Sequence, residues 1–296
     1  MPILTANGMQ IAYDINGSDG NPAMLLIQGL GMPMSAWPPV LIDLLVREGF
    51  QVVTMDNRDV GRSTQFDVDP PAIAFQILRK KLGLRVHAPY LLTDMARDVC
   101  ALMDALGIAC AHVVGVSMGG MIAQIISMEL PEKVQSLTSI MSTTGGAGLP
   151  APNWEVTRHI MSGPEGHTME HRLAYHRILW RLIGSPGYRQ TDRQLQSFLE
   201  RIFERGMTAS GTRRQSLAIL AAENREPGLR DLDVPTLVMH GDADPLVPVA
   251  CGYRTAETIP DAKLTVIQGM GHDLPEQLLA QISTGLAKHA RAAQLP

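Results

Sequence analysis

One stretch of sequence decides the fold: Val113-Val114-Gly115-Val116-Ser117-Met118-Gly119-Gly120. A β-branched run leads into Gly-Val-Ser-Met-Gly, and the residues that follow, Met121-Ile122-Ala123-Gln124-Ile125-Ile126, are typical of a helix. The pattern predicts a strand, an abrupt turn and a helix within a few residues. In such a turn the serine has a strained backbone, and small neighbours let the strand and helix approach closely. Because G-x-S-x-G also arises by chance, an ordinary Gly/Ser turn is an alternative interpretation until the rest of the chain is considered.

The composition suits one large α/β domain, or a domain that carries an insertion. The chain has 296 residues, of which 45% are hydrophobic and 18% are charged, so an ample core is expected. The formal net charge is −4 and no basic stripe stands out, which argues against nucleic acid as a partner.

Cysteine usage and the chain start predict the compartment. The three cysteines, Cys100, Cys110 and Cys251, have no C-x-x-C spacing, and such an odd set favours buried thiols in a reducing environment. The first residues lack the basic and apolar regions of a signal peptide, and no run approaches the ~20 apolar residues of a membrane span. We therefore expect a cytoplasmic protein with no membrane partner, either a monomer or a homodimer.

Strand and helix patterns alternate along most of the chain. Asn7-Gly8 separates two short strand patterns and predicts a hairpin at a sheet edge. The continuous apolar run Met24–Ile27 predicts a strand that is covered on both faces, and Phe50–Met55 predicts the next buried strand. Further strands are predicted at 111–116, 134–141, 235–240 and 262–268, with helices between them. The predicted fold class is therefore α/β, a mostly parallel eight-stranded sheet flanked by helices.

The alternation breaks after Met141, because the next strand pattern begins more than 90 residues later at Thr236. A plain crossover unit needs only about 30 residues, and the intervening sequence has helical periodicity. We predict an inserted helical cap at 145–230 and a core formed by 1–144 and 231–296. A second independent domain is the alternative, disfavoured because no linker-like composition flanks the segment.

Two later strand ends carry groups that could activate Ser117. A serine hydroxyl needs a base to accept its proton and a third group to orient that base. Asp244 follows the strand at 235–240 and His272 follows the strand at 262–268, where a sheet of this class keeps its sites. The order Ser, Asp, His is that of the triad in one large class of hydrolases and differs from the order in the two large serine protease folds.

With these motifs the chain resembles the α/β-hydrolase superfamily from about residue 22 to 282. Within it, the stretch 56–63 (Asp-Asn-Arg-Asp-Val-Gly-Arg-Ser) resembles bacterial carboxylesterases of the aclacinomycin methylesterase-like group. The resemblance implies that Ser117, Asp244 and His272 are catalytic, since G-x-x-D-x-x-x-P at 241–248 selects Asp244 over Asp242. It also implies that the backbone N–H groups of Leu30 and Met118 form an oxyanion hole.

Two positions depart from the family pattern. The oxyanion loop usually begins with His, and here it begins with Gln28, so the bracing of that loop is expected to differ. Most relatives have Arg-Gly where this chain has Arg58-Asp59, and for Asp59 we favour a structural ion pair over a catalytic role.

Other residues invite competing interpretations. His240 could be the base, but a histidine at a strand end is more often packed. Gly29-Leu30-Gly31 lacks the third glycine of a dinucleotide fingerprint. The sequence predicts no metal and no cofactor, because four histidines of the cap lack the further ligands that zinc needs; they are His159, His167, His171 and His176.

The predicted reaction is hydrolysis of a small-molecule carboxylic ester through an acyl-enzyme intermediate. Methionines flank the predicted catalytic loops, and we assign Met32 and Met121 to substrate binding, with core filling as the alternative. Small to medium apolar esters are the expected substrates. Lactonases (including enol-lactonases), carbon–carbon bond hydrolases and cofactor-free perhydrolases share the triad and stay open. From a different class, a non-enzymatic ligand receptor is disfavoured by the intact Ser, Asp and His set.

Overall fold

A computed structural model describes residues 2–166 and 168–293. Its eight strands form one sheet with the order β1-β2-β4-β3-β5-β6-β7-β8. The strands are β1 (Ile3–Ala6), β2 (Met9–Asn16), β3 (Ala23–Ile27), β4 (Gln51–Met55), β5 (Ala111–Val116), β6 (Val134–Ile140), β7 (Thr236–Gly241) and β8 (Lys263–Ile267). β1 pairs antiparallel with β2, β2 pairs antiparallel with β4, and the pairs from β4 to β8 are parallel. The predicted mostly parallel eight-stranded sheet is confirmed.

Eleven α-helices accompany the sheet within the described ranges. They are α1 (Pro39–Arg47), α2 (Ile73–Lys81), α3 (Leu92–Ala105), α4 (Met118–Glu129), α5 (Trp154–Ser162), α6 (Met169–Ile183), α7 (Asp192–Arg205), α8 (Ala209–Ala221), α9 (Glu226–Leu229), α10 (Val249–Thr258) and α11 (Leu279–Ala292). Short 3₁₀ turns lie at Met34–Ala36, Pro131–Lys133 and Glu276–Leu278. In the part of the chain that is described, no helix combines the length and apolar character needed to cross a bilayer.

Helices cover both faces of the sheet, which explains the continuous apolar runs of its central strands. All six residues of β5 are buried. Val113 belongs to the apolar cluster that includes α3 and α4, whereas its neighbour Val114 belongs to the cluster that includes α1 and α11. Because successive side chains of a strand point to opposite faces, a strand between two helical layers is buried on both faces and is mostly apolar.

The strand order places the loops of β3 and β5 side by side. β4 is the neighbour of β3 on one side, and β5 is its neighbour on the other side. The chain therefore runs from β3 to β4 and then crosses over β3 to reach β5. Ile27 at the end of β3 is in register with Gly115 of β5, so the loop at Gln28 and the turn at Ser117 leave the same edge. In open α/β sheets this reversal of strand order is where ligands bind.

The chain between β6 and β7 holds α5 to α9 in its described part. α7 contributes Leu195, Leu199 and Ile202 to a third apolar cluster, which also includes Ala36 from the core. This is the segment in which the sequence predicts a cap at 145–230. That this segment forms a distinct cap with the boundaries 145 and 230 stays a prediction.

Candidate active site

Ser117 sits in a turn that only small neighbours permit. Its backbone has φ 56° and ψ −118°, a conformation rarely adopted by a residue with a side chain. A Cβ at Gly115 would lie 2.1 Å from the Gly119 carbonyl oxygen, and a Cβ at Gly119 would lie 2.1 Å from the Ile27 carbonyl oxygen. The glycines therefore let α4 start directly against β5 and β3, and the turn lifts the Ser117 hydroxyl above the strand ends.

The structure brings Ser117, His272 and Asp244 into one hydrogen-bonded chain. Ser117 Oγ lies 3.0 Å from His272 Nε2, and His272 Nδ1 lies 2.6 Å from Asp244 Oδ2. Because a carboxylate only accepts hydrogen bonds, Nδ1 carries the proton that it donates to Asp244. Nε2 is then the acceptor that faces the serine hydroxyl. This arrangement can withdraw a proton from Ser117.

Asp244 is held in its ionised form. Burial by itself raises the pKa of this carboxyl, but the charge of His272, the nearby His240 and a backbone N–H outweigh burial, and the pKa falls well below its ordinary value. Asp244 Oδ1 accepts hydrogen bonds from the N–H groups of Leu246 and Val247, at 2.9 and 2.8 Å. One carboxylate oxygen is therefore anchored to its own loop while the other orients His272.

His240 is packed beside the acid and does not contact the serine. Its Nε2 lies 2.7 Å from the Val247 carbonyl oxygen and 3.6 Å from Asp244 Oδ2. The side chain is fully buried, and its Nδ1 has no hydrogen-bond partner among the described residues. The alternative in which His240 serves as the base therefore has no support in the geometry.

The loop after β3 packs against Ser117 and is braced from several directions. A Cβ at Gly29 would lie 3.2 Å from Ser117 Cβ, so the backbone next to Leu30 is close to the hydroxyl. Gln28 Oε1 accepts from the Gly29 N–H at 3.1 Å, and the Gln28 carbonyl accepts from Asn57 Nδ2 at 3.1 Å. Gln28 thus stabilises its own loop through its side chain.

Met118, the other predicted backbone donor, is the first residue of α4. The first N–H groups of a helix have no partner within that helix, and they form the positive end of its dipole. The predicted donors Leu30 and Met118 therefore flank Ser117 from the β3 loop and from α4.

The last turn of α6 holds the loop that carries His272. The His272 N–H donates to the Ile183 carbonyl at 2.7 Å, and the Gly271 N–H donates to Ser185 Oγ at 2.8 Å. Ser185 in turn donates its N–H to Asp273 Oδ1 at 3.0 Å, and its hydroxyl donates to the same oxygen. Burial raises the pKa of Asp273.

Asp59 lies in a buried ion pair and outside the cavity wall. Its carboxylate accepts two hydrogen bonds from Arg214 at 2.8 Å, one from Tyr90 Oη at 2.7 Å and one from the Phe66 N–H at 2.8 Å. Its φ of 69° is the left-handed conformation that glycine adopts most readily. Burial, together with the bond to Asp59, raises the pKa of Tyr90 above its ordinary value.

A cavity of about 950 Å³ opens above Ser117 and His272. Helices α5 to α8 supply much of its wall, and most of that wall is apolar. The apolar side chains that line this cavity include Met32, Leu179, Trp180, Phe198, Met207 and Leu246.

The two methionines assigned to substrate binding lie in different places. Met32 lines the cavity. Met121 is 7% exposed, belongs to the core cluster around α3 and α4, and is not among the lining residues, so its assignment to the cavity wall is corrected to core packing. The physical reason is the burial of α4 on all sides, because its residues from Met118 to Ser127 are all buried.

The described histidines of the helical segment have separate local partners. His159 bonds the Tyr175 carbonyl and stacks on its ring, and His171 bonds Thr168. Burial lowers the pKa of His176 to about 4. His167 lies outside the described residues. Within 2–166 and 168–293 no group of three or more His, Cys, Asp or Glu is placed to hold a metal ion.

Sequence reasoning did not find the residues of α7 and α8 that contact the core loops. Arg205 and Arg214 pair with Asp56 and Asp59, and Gln215 bonds the Gly31 N–H at 2.7 Å. Each partner is about 150 residues or more away along the chain, with separations of 149, 155 and 184 residues. No short motif joins residues so far apart, and the only sequence signal is the presence of Asp-Asn-Arg-Asp at a strand end.

Comparison with known proteins finds relatives that match over most of the chain. The chain is 26% identical over 309 residues to a rhodomycin D methylesterase from Streptomyces sp. strain C5, and 93% of each sequence is covered. It is 29% identical over 281 residues to a proposed carbamate hydrolase from Azorhizobium caulinodans, with 92% of this chain and 91% of the relative covered. The predicted resemblance to the methylesterase group is confirmed.

Solved structures of similar fold include an enol-lactonase from Burkholderia xenovorans LB400, with a TM-score of 0.73, 21% identity and 99% of each chain covered. Another is a meta-cleavage product hydrolase from Pseudomonas fluorescens IP01, with a TM-score of 0.77, 19% identity, and 99% of this chain and 98% of that one covered. The model of the alpha/beta hydrolase fold family matches residues 22–277. The chain therefore belongs to the α/β-hydrolase family.

Proposed function

We propose that the protein is a serine hydrolase that cleaves carboxylic esters. The observation that carries the proposal is the hydrogen-bonded chain from Ser117 through His272 to Asp244, with separations of 3.0 and 2.6 Å, below a largely apolar cavity. Similarity to a methylesterase over 93% of both sequences supports an ester as the substrate class.

In the proposed reaction His272 takes the proton from Ser117 as Oγ attacks the ester carbonyl. Negative charge then develops on the carbonyl oxygen, where the N–H groups of Leu30 and Met118 stabilise it; stabilisation of this kind is usually the largest electrostatic contribution. His272 next protonates the leaving alkoxide. It then activates a water molecule that hydrolyses the acyl-enzyme and regenerates Ser117. Asp244 stays ionised throughout and stabilises the imidazolium.

The cavity supports apolar esters and extends the expected size range upward. Ligand sites of about 300–1,000 Å³ enclose drug-sized molecules, and the volume here, about 950 Å³, lies at the top of that range. We propose that the helical segment 145–230 acts as the cap that selects the substrate, because side chains such as Trp180, Phe198 and Met207 line the cavity. Medium-sized esters should therefore be better substrates than acetates.

The test is labelling by a fluorophosphonate together with turnover of a p-nitrophenyl ester series. Wild type should be labelled and active, and Ser117→Ala should lose labelling and on the order of 10⁴-fold or more in kcat/KM. Ser127→Ala is the matched control, because Ser127 is a buried serine of α4, the helix that follows Ser117, and its hydroxyl donates to the Ala123 carbonyl. Wild type that is not labelled, or that turns over lactones or diketones of a panel and no ester, would refute the proposal.

A further inference from the structure

One glutamine of α8 reaches from the helical segment into the loop after β3. We call residues Gln28–Met34 the oxyanion loop. Gln215 Oε1 accepts a hydrogen bond from the Gly31 N–H at 2.7 Å, and Gln215 Nε2 donates to the Arg58 carbonyl at 2.8 Å. The amide therefore spans the loops that follow β3 and β4.

Because Gln215 is buried, the loss of either hydrogen bond is costly. The side chain is 0% exposed, so water does not replace either bond when it is lost. A buried donor left without an acceptor is destabilising, so the Gly31 N–H must find a partner by moving the loop if Gln215 is removed. The helix also packs tightly on the loop, since a Cβ at Gly31 would lie 2.6 Å from Thr212 Oγ1.

A second contact from the helical segment holds the far end of the same loop. The Met34 N–H donates to Asp56 Oδ1 at 2.7 Å. Asp56 Oδ2 accepts two hydrogen bonds from Arg205 of α7, at 3.0 and 2.8 Å. The oxyanion loop is therefore fixed at Gly31 directly by α8, and at Met34 through Asp56 by α7.

We propose that Gln215 is a positioning residue that sets the orientation of the Leu30 N–H toward Ser117. The inference rests on the proposed ester hydrolysis, in which Leu30 is an oxyanion donor. Gln215 holds the peptide that follows Leu30, so the bond at Gly31 restricts rotation of the Leu30 backbone. A donor of this kind acts only within about 2.7–3.1 Å of the developing charge. The helical segment thus takes part in the chemistry by fixing a donor, in addition to lining the cavity.

The expected effect is a selective loss of transition-state stabilisation. Removing an oxyanion donor outright costs about 10²–10³ in kcat, and a displacement of about 1 Å costs on the order of 10². Gln215→Met keeps the side-chain length and removes both hydrogen bonds. It should lower kcat roughly 10- to 10²-fold with KM changed less than about twofold.

The experiment compares Gln215→Met with Gln76→Met in the full-length protein. Gln76 is the matched control, because it is a 2% exposed glutamine on α2 whose Oε1 also accepts a backbone N–H bond, from His87 at 2.8 Å. Turnover of p-nitrophenyl butyrate gives kcat and KM. Inhibition by phenylboronic acid, which forms a tetrahedral adduct with a reactive serine, reports the affinity for an oxyanion-like species.

Gln215→Met should lose kcat and phenylboronic acid affinity by similar factors, whereas Gln76→Met should lose stability and keep kcat. A Gln215→Met protein with wild-type kcat, or an equal kcat loss in Gln76→Met, overturns the inference. If Gln215→Met does not fold, Gln215→Asn keeps a neutral amide on a side chain that is one methylene shorter, and it should also lower kcat with little change in KM; wild-type kcat there overturns the inference too. Failure of this inference differs from failure of the proposed ester hydrolysis, because in the second case wild type itself would be inactive and would not be labelled by the fluorophosphonate.

Discussion

Replacing Asp59 by Asn should destabilise the protein strongly without changing its chemistry. Asparagine tolerates the left-handed backbone, with φ of 69°, better than most residues, so the substitution mainly removes charge. Arg214 then keeps its guanidinium in a site where the two side chains are only 4% and 0% exposed. Asp59 does not line the cavity, so kcat should be retained where the variant is folded.

The magnitude follows from the four hydrogen bonds that the Asp59 carboxylate accepts, two from Arg214 and one each from Tyr90 and Phe66. Breaking a buried ion pair by removing one partner costs about 3–5 kcal/mol, because the remaining charge is uncompensated. Arg214→Met should cost a similar amount for the same reason. The double variant removes both charges, so it should be less destabilised than the sum, with a coupling of about 2 kcal/mol or more.

Urea unfolding of the wild type, the two single variants and the double variant measures this coupling. Asp192→Asn is the control, because it breaks the exposed pair with Arg181, in which the side chains are 55% and 85% exposed, and should change the midpoint little. Additive single effects, or an Asp59→Asn midpoint equal to wild type, would refute a structural ion pair. Loss of kcat at unchanged stability would instead assign Asp59 a role in the reaction.

Three further outcomes follow from the site. Burial lowers the pKa of His176 to about 4, below its unfolded value of about 6.5. As the pH falls, the unfolded chain binds the His176 proton before the folded protein does, so stability is lost between about pH 6.5 and 4. The decrease in urea midpoint from pH 7.5 to pH 5 should therefore be smaller in His176→Phe than in wild type. Met32→Ala should lower kcat/KM for p-nitrophenyl octanoate roughly 10-fold. Met121→Ala should lower the urea midpoint and leave the chain-length preference unchanged; a shifted preference would return Met121 to the cavity.

Local sequence patterns predicted the sheet and the residues of the hydrogen-bonded chain. The central strands are short runs rich in apolar residues. Consecutive residues such as Val113 and Val114 are both apolar because they pack on opposite faces of the sheet. Ser117 is recognisable because its strained turn requires glycine at 115 and 119. Asp244 and His272 are candidates because each follows a predicted strand, and parallel strands bring their carboxyl ends to one edge. The choice of Asp244 over Asp242 rests on the resemblance to the α/β-hydrolase superfamily.

The tertiary structure alone decided which side chains face the cavity and which residues brace the loops. Met32 and Met121 are the same residue type near the same loops, yet one lines the cavity and the other packs in the core, according to the direction of each side chain. Gln215, Arg205 and Arg214 reach their partners only after α7 and α8 fold back over the strand ends. Such contacts depend on the docking of distant helices, which is set by packing across the whole molecule and leaves no signal in any short stretch of sequence.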